Sequence, residues 1–421
     1  MSGATYRTLR PGWPQGALPG SKLAFWNDES LGMTPTNFAP GGLSVLFLAP
    51  FGEIGGSEMV LLRVMEDLDP EIRARAVLLG PGALEGMLTK AGIEVSVEPM
   101  PGKQGVLRIP SAAKRWSERL AGEGVHVIHA NQAKAALFGI PLARRLNVPL
   151  LWMKHDHFSD GRAARQIAGR CDHVVCVSEA MARQFRGELA NRVSVIYPGV
   201  RMPPPPSPRL TEPVIATVGR LDPLKGFDAI IRATRVLRDR GYDARARLAG
   251  PVDRVYPHHA EELHDIVRDL GLTEHVTIGF VDDLDAHYRD ARVLVLSSPP
   301  KAGGLPSEGA PTVLMEAMSH ATAVAAARQP GTEEVMGDVG TLVTDLSPEG
   351  WADALEPYLA SPELAVETGR QGRHWAEERF SMSHTVSQLE GLYAQLAERG
   401  RLPRERRTVV RRPAVGSVSA D

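Results

Sequence analysis

Short apolar runs rich in β-branched residues alternate along the chain with amphipathic stretches of helical length. In the first half, these runs are Leu43 to Pro50, Arg75 to Gly80, Val125 to Ala130, Leu150 to Lys154 and His173 to Ser178. A second series comprises Val214 to Val218, Ala246 to Gly250, Val276 to Gly279, Val293 to Ser297, Ala323 to Ala326 and Thr341 to Val343. This alternation is typical of parallel sheets wrapped by helices. It predicts an α/β protein with two doubly wound, Rossmann-like domains that face each other across a cleft.

A proline-rich stretch separates the two series and supplies the predicted domain linker, because prolines exclude a helix or a sheet interior. Helical periodicity from Pro348 to Arg399 predicts closing helices without a further strand. The predicted organisation is a loose extension at 1–40, a first domain at 41–202, a linker at 203–212, a second domain at 213–381, a C-terminal helix at 382–400 and a basic flexible tail at 401–421.

The composition favours a soluble protein with small-molecule partners. A chain of 421 residues with a net charge of −2 exerts no general attraction on nucleic acid or on an anionic membrane. The chain has two cysteines, Cys171 and Cys176, which excludes a disulfide framework. No apolar run has the length of a membrane span, so the predicted location is the cytoplasm and stable membrane insertion is not expected. The oligomeric state stays open.

The segment from Ser307 to Met318 carries the strongest chemical signal. Pro311 suits a first helical turn, which leaves the amides of Thr312 and Val313 free to bind an anion. Glu308 precedes those amides, and Glu316 lies more than one turn inside the helix. Two carboxylates beside an anion site indicate a polyhydroxylated phosphate ester. The alternative is that both acids only stabilise the helix electrostatically.

A glycine-containing loop follows the first predicted strand, and a helix is expected to begin near Met59. Gly55 and Gly56 allow close approach of a ligand to the backbone. A nicotinamide site would use a similar loop, but the glycine spacing is not G-x-G-x-x-G and the next strand ends in Leu78-Leu79-Gly80 without a ribose-binding acid. By itself this loop is a weak signal.

Cationic and imidazole side chains follow two other strands. Arg220 and Lys225 lie across a turn at the start of the second domain, where they could neutralise a diphosphate or form a solvated turn. His155 follows a buried strand and faces the predicted cleft, where it could orient an acceptor; a surface loop is the alternative. His155 and His157 lack further ligands spaced for zinc. The acids Asp282 to Asp285 are predicted to cap a helix and not to bind a metal.

In this order and at these intervals, the motifs resemble the retaining GT-B glycosyltransferases of the large family 4, which includes sucrose and phosphatidylinositol-mannoside synthases. The resemblance runs from about Leu43 to about Leu396 and implies that the domain at 41–202 binds the acceptor and that the domain at 213–381 binds the nucleotide sugar. It implies that Glu308 contacts the donor hexose, that Glu316 contacts the ribose, and that backbone amides bind the diphosphate. The residues concerned are Gly55 and Gly56 in the glycine loop, His155 in the cleft, Arg220 and Lys225 at the diphosphate, and Gly309, Ala310, Thr312 and Val313 as amide donors.

The resemblance also implies catalysis without a metal or a cofactor, with a UDP-sugar as co-substrate. Ala321, Ala323 and Glu333 depart from the family pattern, which puts donor selectivity in doubt. A narrower likeness, carried by Lys154 to Gly161 and Pro300 to Pro306, is to transferases that move N-acetylglucosamine onto the aminocyclitol 2-deoxystreptamine in aminoglycoside antibiotic biosynthesis. Asp156, Asp160 and Glu53 would attract such a cationic acceptor.

Other functions are compatible with the same fold. A transferase with a lipid or another natural-product acceptor, a nucleotide-sugar epimerase and a phosphorylase would share the donor site. A non-catalytic nucleotide-sugar binder would bind UDP and turn over no acceptor. The full set of Arg220, Lys225, Glu308 and Glu316 argues against such a binder, because binding alone has little need of four charged groups.

Overall fold

The computed structural model describes residues 42–100, 102–157, 160–185, 187, 189–204 and 212–401. The predicted extension at 1–40, most of the linker and the tail beyond Arg401 lie outside these residues. Within them, no helix combines the length and the apolar character that crossing a bilayer requires.

The first domain is built on a seven-stranded parallel sheet. Its strands, in chain order, are β1 (Ser44–Ala49), β2 (Arg73–Leu78), β3 (Glu94–Val97), β4 (Val127–Asn131), β5 (Leu150–Lys154), β6 (His173–Cys176) and β7 (Val193–Val195). Their spatial order is β3-β2-β1-β4-β5-β6-β7. Every residue of β1, β4 and β5 is buried, as expected for strands covered by helices on both faces.

The second domain repeats this plan on a six-stranded sheet. Its strands are β8 (Val214–Val218), β9 (Arg245–Ala249), β10 (Val276–Gly279), β11 (Val293–Leu296), β12 (Ala323–Ala327) and β13 (Thr341–Val343), in the order β10-β9-β8-β11-β12-β13. The pairings between these strands are parallel in both sheets. The strand order reverses between β1 and β4 and between β8 and β11, and ligands bind at such switch points in open α/β sheets.

Helices connect the strands and cover the sheets. Those of the first domain are α1 (Gly56–Asp67), α2 (Ala83–Lys90), α3 (Gly102–Arg119), α4 (Gln132–Leu146), α5 (Arg162–Ala168) and α6 (Glu179–Ala182). Those that follow are α7 (Phe227–Asp239), α8 (His259–Asp269), α9 (Leu284–Arg289), α10 (Thr312–Ser319), α11 (Pro330–Met336), α12 (Pro348–Ala360), α13 (Pro362–Arg379) and α14 (Met382–Arg399).

The chain returns to the first domain at its C-terminal helix. Val200 donates to the carbonyl of Phe380 at 2.8 Å, and Met382 donates to the carbonyl of Val200 at 3.0 Å. From this crossing, α14 packs its apolar face on the core of the first domain, where Leu389 and Tyr393 are fully buried. The crossing and α14 therefore tie the two domains together at a second point of the chain.

The predicted fold class of two doubly wound parallel-sheet domains is confirmed. Four strands, β5, β8, β10 and β13, have the predicted bounds, and the other predicted strands shift by one or two residues at one or both ends. The short strands β3 and β7 were not predicted, because Glu94–Val97 and Val193–Val195 are only partly buried and lack a continuous apolar run. Helix α1 begins at Gly56, three residues before the predicted start at Met59.

Candidate active site

The candidate site residues follow the carboxyl ends of strands in both domains. Gly55 and Gly56 follow β1, Gln132 follows β4, and His155 follows β5. On the facing side, Arg220 follows β8 and Glu308 lies between β11 and α10. Parallel strands end at the same edge of their sheet, so these residues converge on the space between the two domains.

Glu308 and Lys225 form an ion pair in this space. Lys225 Nζ lies 2.8 Å from Glu308 Oε1, and both side chains are mostly buried. The loop that carries Glu308 is held by Gln329, whose side-chain oxygen accepts from the amides of Ser307 at 2.8 Å and Glu308 at 3.2 Å. This supporting role of Gln329 was not predicted from the sequence. Its position directly before Pro330 could have identified it as the residue that caps α11.

Glu316 is fixed by one residue from each domain. Its Oε1 accepts from Arg63 Nη1 of α1 at 2.7 Å, and its Oε2 accepts from the Tyr288 hydroxyl at 2.6 Å. Burial and the adjacent Glu316 carboxylate raise the pKa of Tyr288 well above its usual value, so the phenol stays a donor. Neither Arg63 nor Tyr288 was predicted, because only tertiary packing brings them to Glu316.

Helices α1 and α10 begin close to each other, one on each side of the cleft. A Cβ added to Gly56, the first residue of α1, would lie 4.0 Å from Thr312 Oγ1, on the first residue of α10. Pro311 precedes α10 in an extended conformation, so the prediction that it lies in the first turn was wrong by one position. A helix start favours an anion, and at the start of α1 the Glu58 carboxylate accepts from Ser57 Oγ at 2.8 Å.

Glycines bring the two sides into close contact. A Cβ on Gly309 would lie 2.7 Å from the carbonyl oxygen of His155 and 2.8 Å from Met181 Cε. A Cβ on Gly331 would lie 2.5 Å from the carbonyl oxygens of Glu308 and Gly309. Ala310 packs against the cores of both domains, and Val313 packs against the core of the second. The Glu308–Val313 segment is thus packed against the loop that carries His155.

His155 is held as a neutral imidazole. Its Nε2 lies 2.6 Å from Asn131 Oδ1, while Asn131 Nδ2 donates to the Ser57 carbonyl at 3.3 Å. Because the amide oxygen of Asn131 is the acceptor in this arrangement, His155 Nε2 carries the proton and Nδ1 is left as an acceptor. Burial and the neighbouring Lys154 ammonium lower the pKa of His155 to about 3. The ring can therefore accept a hydrogen bond at neutral pH.

Glu58 and Gln132 complete this side of the cleft. Gln132 has a positive φ of 70°, an uncommon conformation for a residue other than glycine. Its Nε2 donates to Glu58 Oε1 at 3.1 Å and also contacts Ser57 Oγ. Burial raises the pKa of Glu58, and the nearby Asp156 carboxylate raises it further. No role was predicted for Glu58 from the sequence.

Arg220 contacts two buried carboxylates. Its Nη1 donates to Asp253 Oδ2 at 2.7 Å, and its Nη2 lies 3.1 Å from Asp222 Oδ2. These contacts orient Arg220, whose side chain is 54% exposed.

Asp160 and Glu53, which were expected to attract a cationic acceptor, form ion pairs within the protein. Asp160 lies 2.7 Å from Lys154 Nζ and 2.7 Å from His157 Nδ1, and Glu53 pairs with Arg254 of the second domain. This corrects the expectation for Asp160 and Glu53, because an unpaired carboxylate is what an incoming ammonium needs. Lys154 and Asp160 instead anchor the loop that carries His155.

The acidic segment before α9 caps that helix, as predicted. Asp283 accepts from the amide of Ala286 at 2.8 Å. Within the part of the chain that the structure describes, no group of three or more His, Cys, Asp or Glu side chains has an arrangement suited to a metal.

Cys171 and Cys176 are buried free thiols. Burial raises the pKa of both, so neither is a reactive thiolate.

The chain matches two protein-family models, described as "Glycosyltransferase Family 4" over residues 54–202 and "Glycosyl transferases group 1" over residues 203–375. It is also 30% identical over 299 residues to a GDP-mannose-dependent alpha-(1-6)-phosphatidylinositol monomannoside mannosyltransferase of Mycolicibacterium smegmatis, which covers 64% of this chain and 77% of the relative. The chain belongs to the group 1 (family 4) glycosyltransferases.

This glycosyltransferase is 33% identical over 232 residues to a D-inositol 3-phosphate glycosyltransferase of Corynebacterium glutamicum, a match that spans 48% of the chain and 51% of that relative. Among solved structures, it resembles Anabaena HepE in complex with UDP-glucose, with a TM-score of 0.71, 24% identity, and coverage of 84% of this chain and 100% of HepE. It also resembles the sucrose-phosphate synthase of Thermosynechococcus elongatus, with a TM-score of 0.69, 19% identity, and coverage of 85% and 100%. The fold of the glycosyltransferase is therefore GT-B.

Proposed function

We propose that this glycosyltransferase moves a hexose from a nucleoside diphosphate sugar to a hydroxyl of a cyclitol, with retention of the anomeric configuration. The observation that carries the proposal is the meeting of two helix starts, at Gly56 and Thr312, beside the Lys225–Glu308 ion pair. Free amides and an ammonium group at one place bind a diphosphate, and a carboxylate beside them accepts hydrogen bonds from sugar hydroxyls.

In the proposed donor complex, the diphosphate lies against the amides of residues 309–313 and against Lys225 and Arg220. Glu308 contacts the hexose and Glu316 contacts the ribose. As the bond to the leaving diphosphate breaks, negative charge grows on its oxygens, and the cations and helix starts stabilise that charge. The acceptor hydroxyl attacks from the face that the diphosphate leaves, and a phosphate oxygen takes its proton. No protein carboxylate then acts as nucleophile or general base, which differs from the two-carboxylate glycosidases.

The acceptor side favours a cyclitol with ammonium groups over a phosphorylated one. Asp156 adjoins His155 in the chain and lies near enough to Glu58 to raise the pKa of that carboxyl, while the Lys154 ammonium is paired with Asp160. A phosphate placed there would meet like charge, and an ammonium would meet opposite charge. We therefore retain 2-deoxystreptamine as the proposed acceptor and UDP-N-acetylglucosamine as the proposed donor. The names of the relatives above favour GDP-mannose and inositol phosphates instead, so both substrate classes enter the test.

The test is mass spectrometry of metal-free reactions in which each donor meets each acceptor. The donors are UDP-N-acetylglucosamine, UDP-glucose and GDP-mannose, and the acceptors are 2-deoxystreptamine and inositol 3-phosphate. An N-acetylhexosamine adduct of 2-deoxystreptamine supports the full proposal, and a glycosylated inositol phosphate contradicts the ammonium argument. Glu308→Gln is the matched control, because it removes the carboxylate charge and keeps the side-chain shape. Binding of UDP without any product would favour a non-catalytic nucleotide-sugar binder.

A further inference from the structure

Asp253 holds the arginine that the proposed mechanism assigns to the diphosphate. Its side chain is 4% exposed, whereas that of Arg220 is 54% exposed. Asp253 Oδ2 accepts from Arg220 Nη1 at 2.7 Å, and Oδ1 accepts from the amides of Val255 at 2.7 Å and Tyr256 at 3.1 Å. With three donors bound, this carboxylate has a fixed orientation and imposes it on the guanidinium.

The backbone keeps the loops after β8 and β9 in register. The amide of Leu221 donates to the carbonyl of Pro251 at 2.9 Å, and Leu221 forms a bridge with Val252. A Cβ added to Gly250 would lie 1.7 Å from the carbonyl oxygen of Gly219, so only glycine permits this approach. The distance between Asp253 and Arg220 is therefore set by the strands and not by two mobile side chains.

A second buried acid connects Arg220 to the Lys225 turn. Asp222 is 1% exposed, lies 3.1 Å from Arg220 Nη2, and accepts from the amide of Leu224 at 2.8 Å at the start of that turn. A guanidinium has five N–H donors. Asp253 and Asp222 contact two of its nitrogens from the protein side, which leaves further donors for a ligand in the cleft.

We infer that Asp253 is a positioning residue for Arg220, which it pre-orients toward the leaving diphosphate. This inference rests on the proposed function. An oriented cation contributes most when charge develops on the diphosphate, so the loss of Asp253 lowers kcat more than it raises the donor KM.

Asp253→Asn separates the two roles of the carboxylate. Asparagine keeps a carbonyl oxygen for the amides of Val255 and Tyr256 but presents an NH2 group to the guanidinium. Asp253→Ala removes both kinds of contact. The difference between Asp253→Ala and Asp253→Asn therefore reports what the bonds to the amides of Val255 and Tyr256 contribute. Asp283→Asn is the control, because Asp283 also accepts a backbone amide but caps α9 and does not contact Arg220.

The experiment measures kcat, donor KM and melting temperature for Asp253→Asn in the natural background and in an Arg220→Ala background. We expect about a tenfold loss of kcat in the natural background and less than about a twofold loss once Arg220 is absent. Equal losses in both backgrounds would overturn the inference, as would an unchanged kcat in the single variant. An Arg220→Ala variant with normal activity would instead overturn the proposed role of Arg220 in the reaction.

Discussion

Arg63 of the first domain donates to Glu316 of the second domain at 2.7 Å. The other oxygen of this carboxylate accepts from Tyr288 at 2.6 Å. Both oxygens are thus engaged within the protein, and a ribose that bonds to Glu316 would share them with Arg63 and Tyr288 or displace one of the two, because each carboxylate oxygen has two acceptor sites. Arg63 is the more easily displaced of the two, because its side chain is 22% exposed whereas Tyr288 is 2% exposed.

Replacing Arg63 with alanine should therefore strengthen nucleotide binding. We expect Kd for UDP or GDP to fall about threefold to tenfold in Arg63→Ala, because the ribose no longer competes with an ion pair, and to rise in Glu316→Gln. Isothermal titration calorimetry without acceptor measures both changes. Arg235→Ala serves as the control, since Arg235 forms a pair with Asp239 within α7. Weaker binding by Arg63→Ala would mean that Arg63 is itself a nucleotide ligand.

A methyl group at residue 309 should separate the two sides of the site. The added Cβ of Gly309→Ala would lie 2.7 Å from a backbone oxygen of His155, a contact that side-chain movement cannot relieve. We expect kcat to fall at least about tenfold while each domain stays folded. The control is Gly86→Ala in α2, where a Cβ meets nothing within 4 Å and helix propensity improves. Normal kcat in Gly309→Ala would show that this contact is absent during turnover.

The fold was readable from the sequence because buried parallel strands consist of apolar runs. β5 and β8 are continuous apolar segments between helical stretches, and their bounds were predicted without error. The carboxyl ends of such strands also fix where ligands bind, which located His155, Arg220 and the Glu308–Glu316 segment. Whether those residues act as the resemblance implies stays a prediction.

The partners of these residues could not be predicted, because they come from distant parts of the chain. Arg63 and Glu316 are separated by 253 positions, and an arginine on an amphipathic helix usually faces solvent. Asp253 lies in a loop whose sequence carries no recognisable motif. The same limit produced the error at Asp160 and Glu53, because a sequence shows a carboxylate but not the cation that neutralises it.

Glu334 joins the two domains near the chain crossing. Its carboxylate accepts from the amide of Ala180 at 2.9 Å, from the amide of Glu179, and from the Tyr197 hydroxyl at 2.8 Å. Glu334→Ala should leave these donors without their partner, favour separation of the domains and lower the melting temperature. Small-angle scattering without nucleotide should then show a larger radius of gyration. Glu333→Ala is the matched control, since the adjacent Glu333 pairs with Arg328 and not with the first domain. Equal radii for Glu334→Ala and the natural protein would contradict a joining role.

His129 makes the stability of the first domain depend on pH. It is 1% exposed, its Nδ1 lies 2.7 Å from the Tyr393 hydroxyl of α14, and burial lowers its pKa to about 3 from a usual value near 6.5. Between these two pKa values the unfolded chain binds a proton that the folded chain does not. The stabilisation is therefore complete above about pH 6.5 and is lost as the pH falls toward 3.

The sign of this linkage gives a measurable slope. Half-buried His155 and buried His173, whose pKa values are lowered to about 3 and about 4, titrate in the same window and add to the effect. Urea unfolding of the natural protein should show a free energy of unfolding that falls between about pH 7 and pH 5 by up to about 1.4 kcal/mol per pH unit for each such histidine. The glutamine side chain in His129→Gln cannot be protonated. The slope of the free energy of unfolding against pH should therefore be smaller by one such contribution, whatever the stability of the variant at pH 7. His374→Gln is the control for the loss of an exposed histidine, because the His374 side chain is 72% exposed. An unchanged slope in His129→Gln would mean that His129 is not held neutral in the folded protein.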